Sequence, residues 1–205
     1  MLTVLVFLIV LLAGGCASYQ TRGNLIRHQN ATVRIIVTCK TEEGTSDWFG
    51  SGVVISNRRV LTAGHLAKAC EGAEFTAVDG ETAYPLSVLK LDVENDLSIM
   101  INTGPTKFNK PSINWGPEPK RMSNIYIVTG APREDVRMGL LNHWNLKQGP
   151  NMKNSLIIEP GNSGSGIYDD LGRLIGICTH TTFCGNGQFC GGRATSLWDK
   201  KNWLK

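Results

Sequence analysis

From residue 32 onward the chain alternates short apolar runs, rich in Val, Ile, Leu and Thr, with polar turn signals. Runs at 32–39, 49–56, 59–62, 74–78, 83–91 and 97–101 predict a first set of strands. Glu43-Gly44, Asn57-Arg58 and Asp79-Gly80 supply turns between them. Pro105, Pro111, Pro117 and Pro119 then fall within 102–120, where they would remove ladder donors from any central strand, so this stretch is expected to be a linker. Strands are predicted again at 124–129, 136–144, 155–158, 166–168, 173–178 and 194–196, with Asp169-Asp170-Leu171-Gly172 as a hairpin turn. Ser196 is placed to cap a closing helix over 197–205, whose apolar face would be Leu197, Trp198, Trp203 and Leu204. The pattern therefore predicts an all-β fold: two six-stranded antiparallel barrels, about 32–101 and 121–196, followed by a short C-terminal helix. No internal repeat or low-complexity tract competes with this reading.

The first 12 residues are almost wholly apolar and are followed by Ala13-Gly14-Gly15-Cys16. A membrane-spanning helix needs about 20 apolar residues, so the run is too short to span and matches an export signal ending in small residues. Leu12-Ala13-Gly14-Gly15-Cys16 resembles the lipobox of bacterial lipoproteins, which implies a signal peptide over 1–15, acylation of Cys16 and a spacer over 16–31. The absence of an early Lys or Arg departs from that pattern, and an uncleaved apolar anchor is the alternative. Either reading exports the domain and tethers it, the first as a lipoprotein of the bacterial cell envelope.

With 205 residues, 41% of them apolar, and a net charge of +4, the chain is long enough and apolar enough to bury a core. Its charges are interspersed, and no basic stripe with interleaved aromatics points to nucleic acid.

Three residues in separate segments carry candidate chemistry. His65 ends the run Val60-Leu61-Thr62-Ala63-Gly64-His65, at the edge of a predicted strand. Asp96 immediately precedes the apolar run Leu97-Ser98-Ile99-Met100. Ser163 lies in Gly161-Asn162-Ser163-Gly164, whose glycines allow a sharp turn that aims the Gly161 and Ser163 amides at one point. A hydroxyl nucleophile needs a base, a carboxylate to fix the base's tautomer, and donors for the oxyanion, and these residues offer one candidate for each role. Taken singly, each has a plainer explanation as a core histidine, a turn aspartate or a hairpin. No cofactor is called for.

In the order His65, Asp96, Ser163 within two strand-rich halves, the chain resembles the trypsin-like (chymotrypsin-fold) serine protease family, and within it the Deg-type proteases and glutamyl endopeptidases. The most specific stretch is Ile158-Glu159-Pro160-Gly161-Asn162-Ser163-Gly164-Ser165-Gly166 followed by Gly172-Arg173-Leu174-Ile175-Gly176-Ile177. Phe49-Gly50-Ser51-Gly52-Val53-Val54-Ile55 and Val128-Thr129-Gly130-Ala131-Pro132 add to it. The resemblance implies hydrolysis of protein or peptide substrates. Gly64 stands where many members have alanine, a difference expected to be harmless because both residues are small. Asn162 replaces the aspartate that pairs with a newly cut N-terminus in digestive enzymes, so activation by that cleavage is not expected. The sequence stops soon after the second predicted barrel, so the PDZ modules usual in Deg-type proteases are not expected.

The same resemblance assigns the pocket walls to the segment before Ser163, to 176–181 including Thr179 and His180, and to Gly191-Gly192. Ile157 occupies the position of trypsin's acidic residue, which disfavours Lys or Arg beside the scissile bond. Cys178 matches the histidine of glutamyl endopeptidases, and His180 follows two residues later. A small or apolar residue before the scissile bond is the expectation.

Disulfides are the first expectation for cysteines of an exported domain. A bridge between Cys39 and Cys70 corresponds to one in many family members, and Cys184 with Cys190 would close a Gly-rich loop, leaving Cys178 unpaired. Cys178, His180, Cys184 and Cys190 are also a set zinc accepts, although their spacing matches no familiar zinc motif, and no metal is assigned. The other functions in view are a catalytically silent protease-fold lipoprotein acting as a binding module, and an esterase using the same serine.

Overall fold

A computed structural model of the chain describes residues 31–110, 113–130, 135–144, 151–183, 189–200 and 202–204. The signal segment 1–15, Cys16, the spacer up to residue 30 and Cys184 lie outside these residues. Strands β1 (Thr32–Thr41), β2 (Gly44–Val54), β3 (Arg59–Ala63), β4 (Glu74–Asp79), β5 (Thr82–Asp92) and β6 (Leu97–Asn102) close a barrel in the order β1-β2-β3-β6-β5-β4. A second barrel, in the order β10-β11-β12-β9-β8-β7, contains β7 (Asn124–Thr129), β8 (Asp135–Trp144), β9 (Met152–Asn154), β10 (Gly166–Asp169), β11 (Leu174–Phe183) and β12 (Phe189–Ser196). Every strand pairing in both is antiparallel, and the two-barrel expectation holds.

Period-two alternation in β1 buries Val33, Ile35, Val37 and Cys39 and leaves Arg34, Ile36 and Thr38 on the outer face. The inward set joins Val60, Ala77, Tyr84 and Met100 in the first barrel's core. β3 and β6 are buried on both faces, which explains their nearly unbroken apolar sequences. Val60 and Met100 face the first core, whereas Leu61, Leu97 and Ile99 join Val128, Tyr168, Leu174 and Ile177 in a cluster between the barrels. Each such fully buried side chain contributes about 2 kcal/mol. Leu61 and Leu97 of this cluster belong to β3 and β6, the strands whose ends carry His65 and Asp96.

Two expectations are corrected. Segment 155–158 is not a strand; the strand there is β9, Met152–Asn154. Leu156 and Ile158 are buried around an exposed Ile157, so the burial alternates as in a strand. The backbone turns away instead, because the Leu156 amide donates to Asn154 Oδ1 at 3.0 Å and the Glu159 amide to Asn162 Oδ1 at 2.9 Å. At the C-terminus a single 3-10 turn, Trp198–Lys200, replaces the expected helix. Ser196 Oγ does accept the Trp198 amide at 3.2 Å. The Leu197 amide donates to the Ile175 carbonyl of β11 at 3.0 Å, and the bonds that follow, from the Lys200 amide to the Leu197 carbonyl at 3.2 Å and from the Trp203 amide to the Lys200 carbonyl at 2.9 Å, span three residues, the tighter 3-10 spacing.

Candidate active site

Strand register brings His65 and Asp96 together. β3 pairs with β6 such that Ala63 faces Leu97, so the residues just past one strand end and just before the other strand's start meet at the same barrel edge. A 3-10 turn over Gly64–Lys68 then carries His65. The His65 amide donates to Asp96 Oδ1 at 2.6 Å, and His65 Nδ1 lies 3.0 Å from Asp96 Oδ2. One carboxylate thus fixes both the backbone and the ring of His65. The histidine side chain is 45% exposed and the aspartate 18%, so the imidazole's outer nitrogen remains accessible.

Asp96 has φ of +53°, a left-handed conformation that aspartate tolerates better than most residues. The turn before it is held by Asn95, whose amide and side-chain Nδ2 donate to Asp92 at 3.0 and 2.7 Å. Thr195 Oγ1 of β12 donates to the Asn95 carbonyl, tying the turn to the second barrel. Gly64 fits closely here. A Cβ at this position would stand 2.9 Å from the Leu97 nitrogen and 3.0 Å from the Asp96 carbonyl carbon, both backbone atoms. Glycine and alanine are therefore not interchangeable at this position, contrary to the expectation from size alone.

Ser163 follows a tight turn. The Asn162 amide donates to the Glu159 carbonyl at 2.9 Å, with Pro160 and Gly161 between and Gly161 at φ +93°, the arrangement of a type II turn. Asn162 is buried, and its Oδ1 accepts the Glu159 amide, so its side chain clasps the turn from inside. Among the described residues neither the Gly161 nor the Ser163 amide has a protein acceptor. Gly164, at φ +87°, could carry no side chain, because a Cβ would collide with the Ser51 carbonyl and the Thr62 hydroxyl.

Ser51 was not among the candidate residues, yet it braces this loop against both barrels. Its amide donates to the Ser163 carbonyl at 2.7 Å, and its hydroxyl donates to the Gly161 carbonyl and accepts the Gly130 amide, both at 2.9 Å. The available signal was a serine between two glycines inside an apolar strand, Gly50-Ser51-Gly52, where close backbone approach is the usual reason for glycine. Gly50 itself lies against both Leu66, next to His65, and the Ser163 carbonyl.

Through Gly50 the Ser163 loop lies close to the turn that carries His65, but among the described residues no single chain of hydrogen bonds joins His65, Asp96 and Ser163. Among the described residues the Ser163 hydroxyl's partner is the Thr179 carbonyl, at 2.9 Å, rather than His65. A β-bulge between Cys178 and His180 produces that arrangement. It leaves the Cys178 thiol in the core, turns the Thr179 carbonyl toward Ser163 and puts His180 outside. Burial, reinforced by the negative charge of Asp96, pushes the Cys178 thiol far above its ordinary range and keeps it protonated. Cys178 and His180 therefore face different environments, which separates two members of the four-residue zinc set.

Of the remaining pocket residues, Ile157 is 58% exposed, and the adjacent Ile158 fills the space over Gly192. Gly191 lies against the Asn154 carbonyl at φ +125°. Cys39 and Cys70 form a disulfide with Cα atoms 6.0 Å apart, linking β1 to the segment after His65. The Cys184–Cys190 pairing falls outside the described residues.

Comparison with known proteins agrees with this architecture. The model of the trypsin-like peptidase domain matches residues 50–177. Similar solved structures include a variant of the HtrA-type protease AlgW with a tripeptide (TM-score 0.71, 22% identity, 90% of this chain and 62% of that one). AlgW itself with a tripeptide (0.69, 22%, 86% and 59%) and the serine endoprotease from Yersinia pestis (0.71, 19%, 90% and 65%) are also similar. The chain thus spans less than two thirds of each of these structures, and at such identities the likeness is one of fold. A comparison with curated proteins gave no match. With its two closed barrels and a family match over residues 50–177, the chain belongs to the trypsin-like peptidase family.

Proposed function

We propose that the chain is a serine endopeptidase in which Ser163 is the nucleophile, His65 its general base and Asp96 the residue that orients His65. The observation that carries this reading is the His65–Asp96 pair, 3.0 Å apart, together with a glycine turn at Ser163 whose Gly161 and Ser163 amides have no acceptor among the described residues. Rotation of the Ser163 side chain from the Thr179 carbonyl toward His65 readies the hydroxyl. His65 takes its proton as the oxygen attacks the peptide carbonyl, and Asp96 stabilises the imidazolium that forms. The Gly161 and Ser163 amides receive the oxyanion, each donor worth about 3 kcal/mol of barrier. His65 then gives the proton to the departing amine, leaving an acyl-enzyme that water hydrolyses with His65 again as base. Peptides are the proposed substrates, supported by the tripeptide in the AlgW structures.

The leader and Cys16 support export and lipid anchoring in a bacterial envelope. Mass spectrometry of the protein purified from bacterial membranes should find an acylated N-terminal Cys16, and an unmodified cysteine would remove that part of the reading.

Turnover of a mixed peptide library or of casein, followed by mass spectrometry, tests the activity. Wild-type protein should release new N-termini, and Ser163→Ala should not. One observation favours a silent binding module instead: the Ser163 hydroxyl is bonded to Thr179. Peptide binding without cleavage by wild-type protein would select that alternative.

A further inference from the structure

A line of basic residues crosses the second barrel beside the nucleophile. In the β11–β12 register His180 faces Arg193, in β12–β9 Arg193 faces Lys153, and the register continues from Lys153 to His143 on β8. Directly opposed residues on antiparallel strands put their side chains on one face, about 5 Å apart. The adjacent Thr179, Ala194, Met152 and Asn154 are buried, so His180, Arg193 and Lys153 point outward.

Like charges opposed in this way repel, and the structure does little to relieve them. Ion pairs among the described residues go to Lys40, His65, Lys110, Arg137, Arg173 and Lys200. None goes to Arg193 or Lys153. Among the described residues Asp135 and Glu159 pair with Arg137, and Asp96 with His65. Partial burial and then Arg193 hold the His180 imidazole below its ordinary value, with Asp96 pulling the other way and His65 adding to the decrease.

The line starts at the site of reaction. Thr179, which accepts the Ser163 hydroxyl, immediately precedes His180. β10 pairs with β11 no farther than Ile177, and among the described residues no strand covers the same edge beyond it, while β12 covers the opposite edge. A peptide added as a strand along this open edge would present alternate side chains on the face of His180, Arg193 and Lys153. An acidic side chain there would extend the cross-strand row with the charge it lacks.

We infer that the peptidase selects substrates with Asp or Glu in the segment that lies along β11 beside the scissile bond, where Arg193, one strand beyond His180, receives the carboxylate and Lys153, a further strand away, adds to the positive field. This rests on the peptidase reading of Ser163, and its test is arranged to be independent of cleavage. Full-chain Ser163→Ala protein is titrated, with fluorescence anisotropy as readout, into labelled short peptides of degenerate sequence that fix Glu, Gln or Lys at alternate positions. Glu peptides should bind about fivefold or more tighter than their Gln counterparts, with Lys peptides weakest. The gap should shrink in about 0.5 M salt, most in the Arg193→Gln background and less in Lys153→Gln, which lies one strand farther from the peptide. Lys153 is exposed, so its variant keeps the test meaningful even if Arg193→Gln folds poorly. Equal binding of Glu and Gln peptides, no binding of any peptide, or a gap that survives both substitutions would overturn the inference. Loss of wild-type cleavage alone would instead overturn the catalytic reading.

Discussion

At Gly64 the backbone of the Asp96 turn occupies the space a methyl group would need. Gly64→Ala must push Leu97 and Asp96 outward, away from a carboxylate position that now serves both the amide and the ring of His65. The predicted result is a drop in kcat/KM of about ten- to a hundredfold, with a stability loss of about 1–3 kcal/mol, measured by peptide turnover and urea unfolding. Asp96→Asn acts differently, because the amide keeps the shape and reverses a donor. It should lower kcat by about 10⁴ while leaving the unfolding midpoint nearly unchanged, and a loss below about tenfold would argue against a positioning role. The letters His65, Asp96 and Ser163 were visible in the sequence because their residue types and order suit one reaction. The roles of Gly64, Asn162 and Ser51 were not, because each depends on backbone atoms from a distant segment.

Among the elements, the Ser163 loop and the outer half of β11 are held in shape by polar contacts. Ser51→Ala would strip the Gly130 amide and the Gly161 carbonyl of a buried partner, costing about 1–3 kcal/mol by thermal or chemical unfolding. Because the same hydroxyl steadies the Gly161 turn proposed to receive the oxyanion, kcat should fall more than KM rises. Strands with alternating or continuous apolar sequence, such as β1, β3 and β6, were legible with ends correct to within about two residues. The outer parts of β11 and β12 were not. Thr179-His180-Thr181-Thr182 and Gly191-Gly192 lack apolar alternation, and the bulge after Cys178 breaks the period itself. Segment 155–158 misled for the opposite reason: its alternating burial comes from a loop folded over the barrel mouth, whose donors go to Asn154 and Asn162 side chains.

For the molecule as a whole, function depends on two barrels meeting in one orientation. The interbarrel cluster of Leu61, Leu97, Ile99, Val128, Tyr168 and Ile177 sets that orientation, and Ser51 and Thr195 add directional contacts near the cleft. Its apolar members were legible as strand residues, but which of the two cores each would join was not. Within the first barrel the Cys39–Cys70 disulfide spans 31 residues that include β2, β3 and His65. Replacing both cysteines with serine should cost about 3–4 kcal/mol, seen as a lower unfolding midpoint, because an unfolded chain without the bridge regains that loop entropy. The most direct test of the central claim is fluorophosphonate labelling of the intact protein, with the adduct located by tandem mass spectrometry. The prediction is a single adduct on Ser163, absent in Ser163→Ala and strongly slowed in Asp96→Asn. A folded wild-type protein that takes no label, or takes it on another residue, would contradict the assignment of Ser163 as the nucleophile.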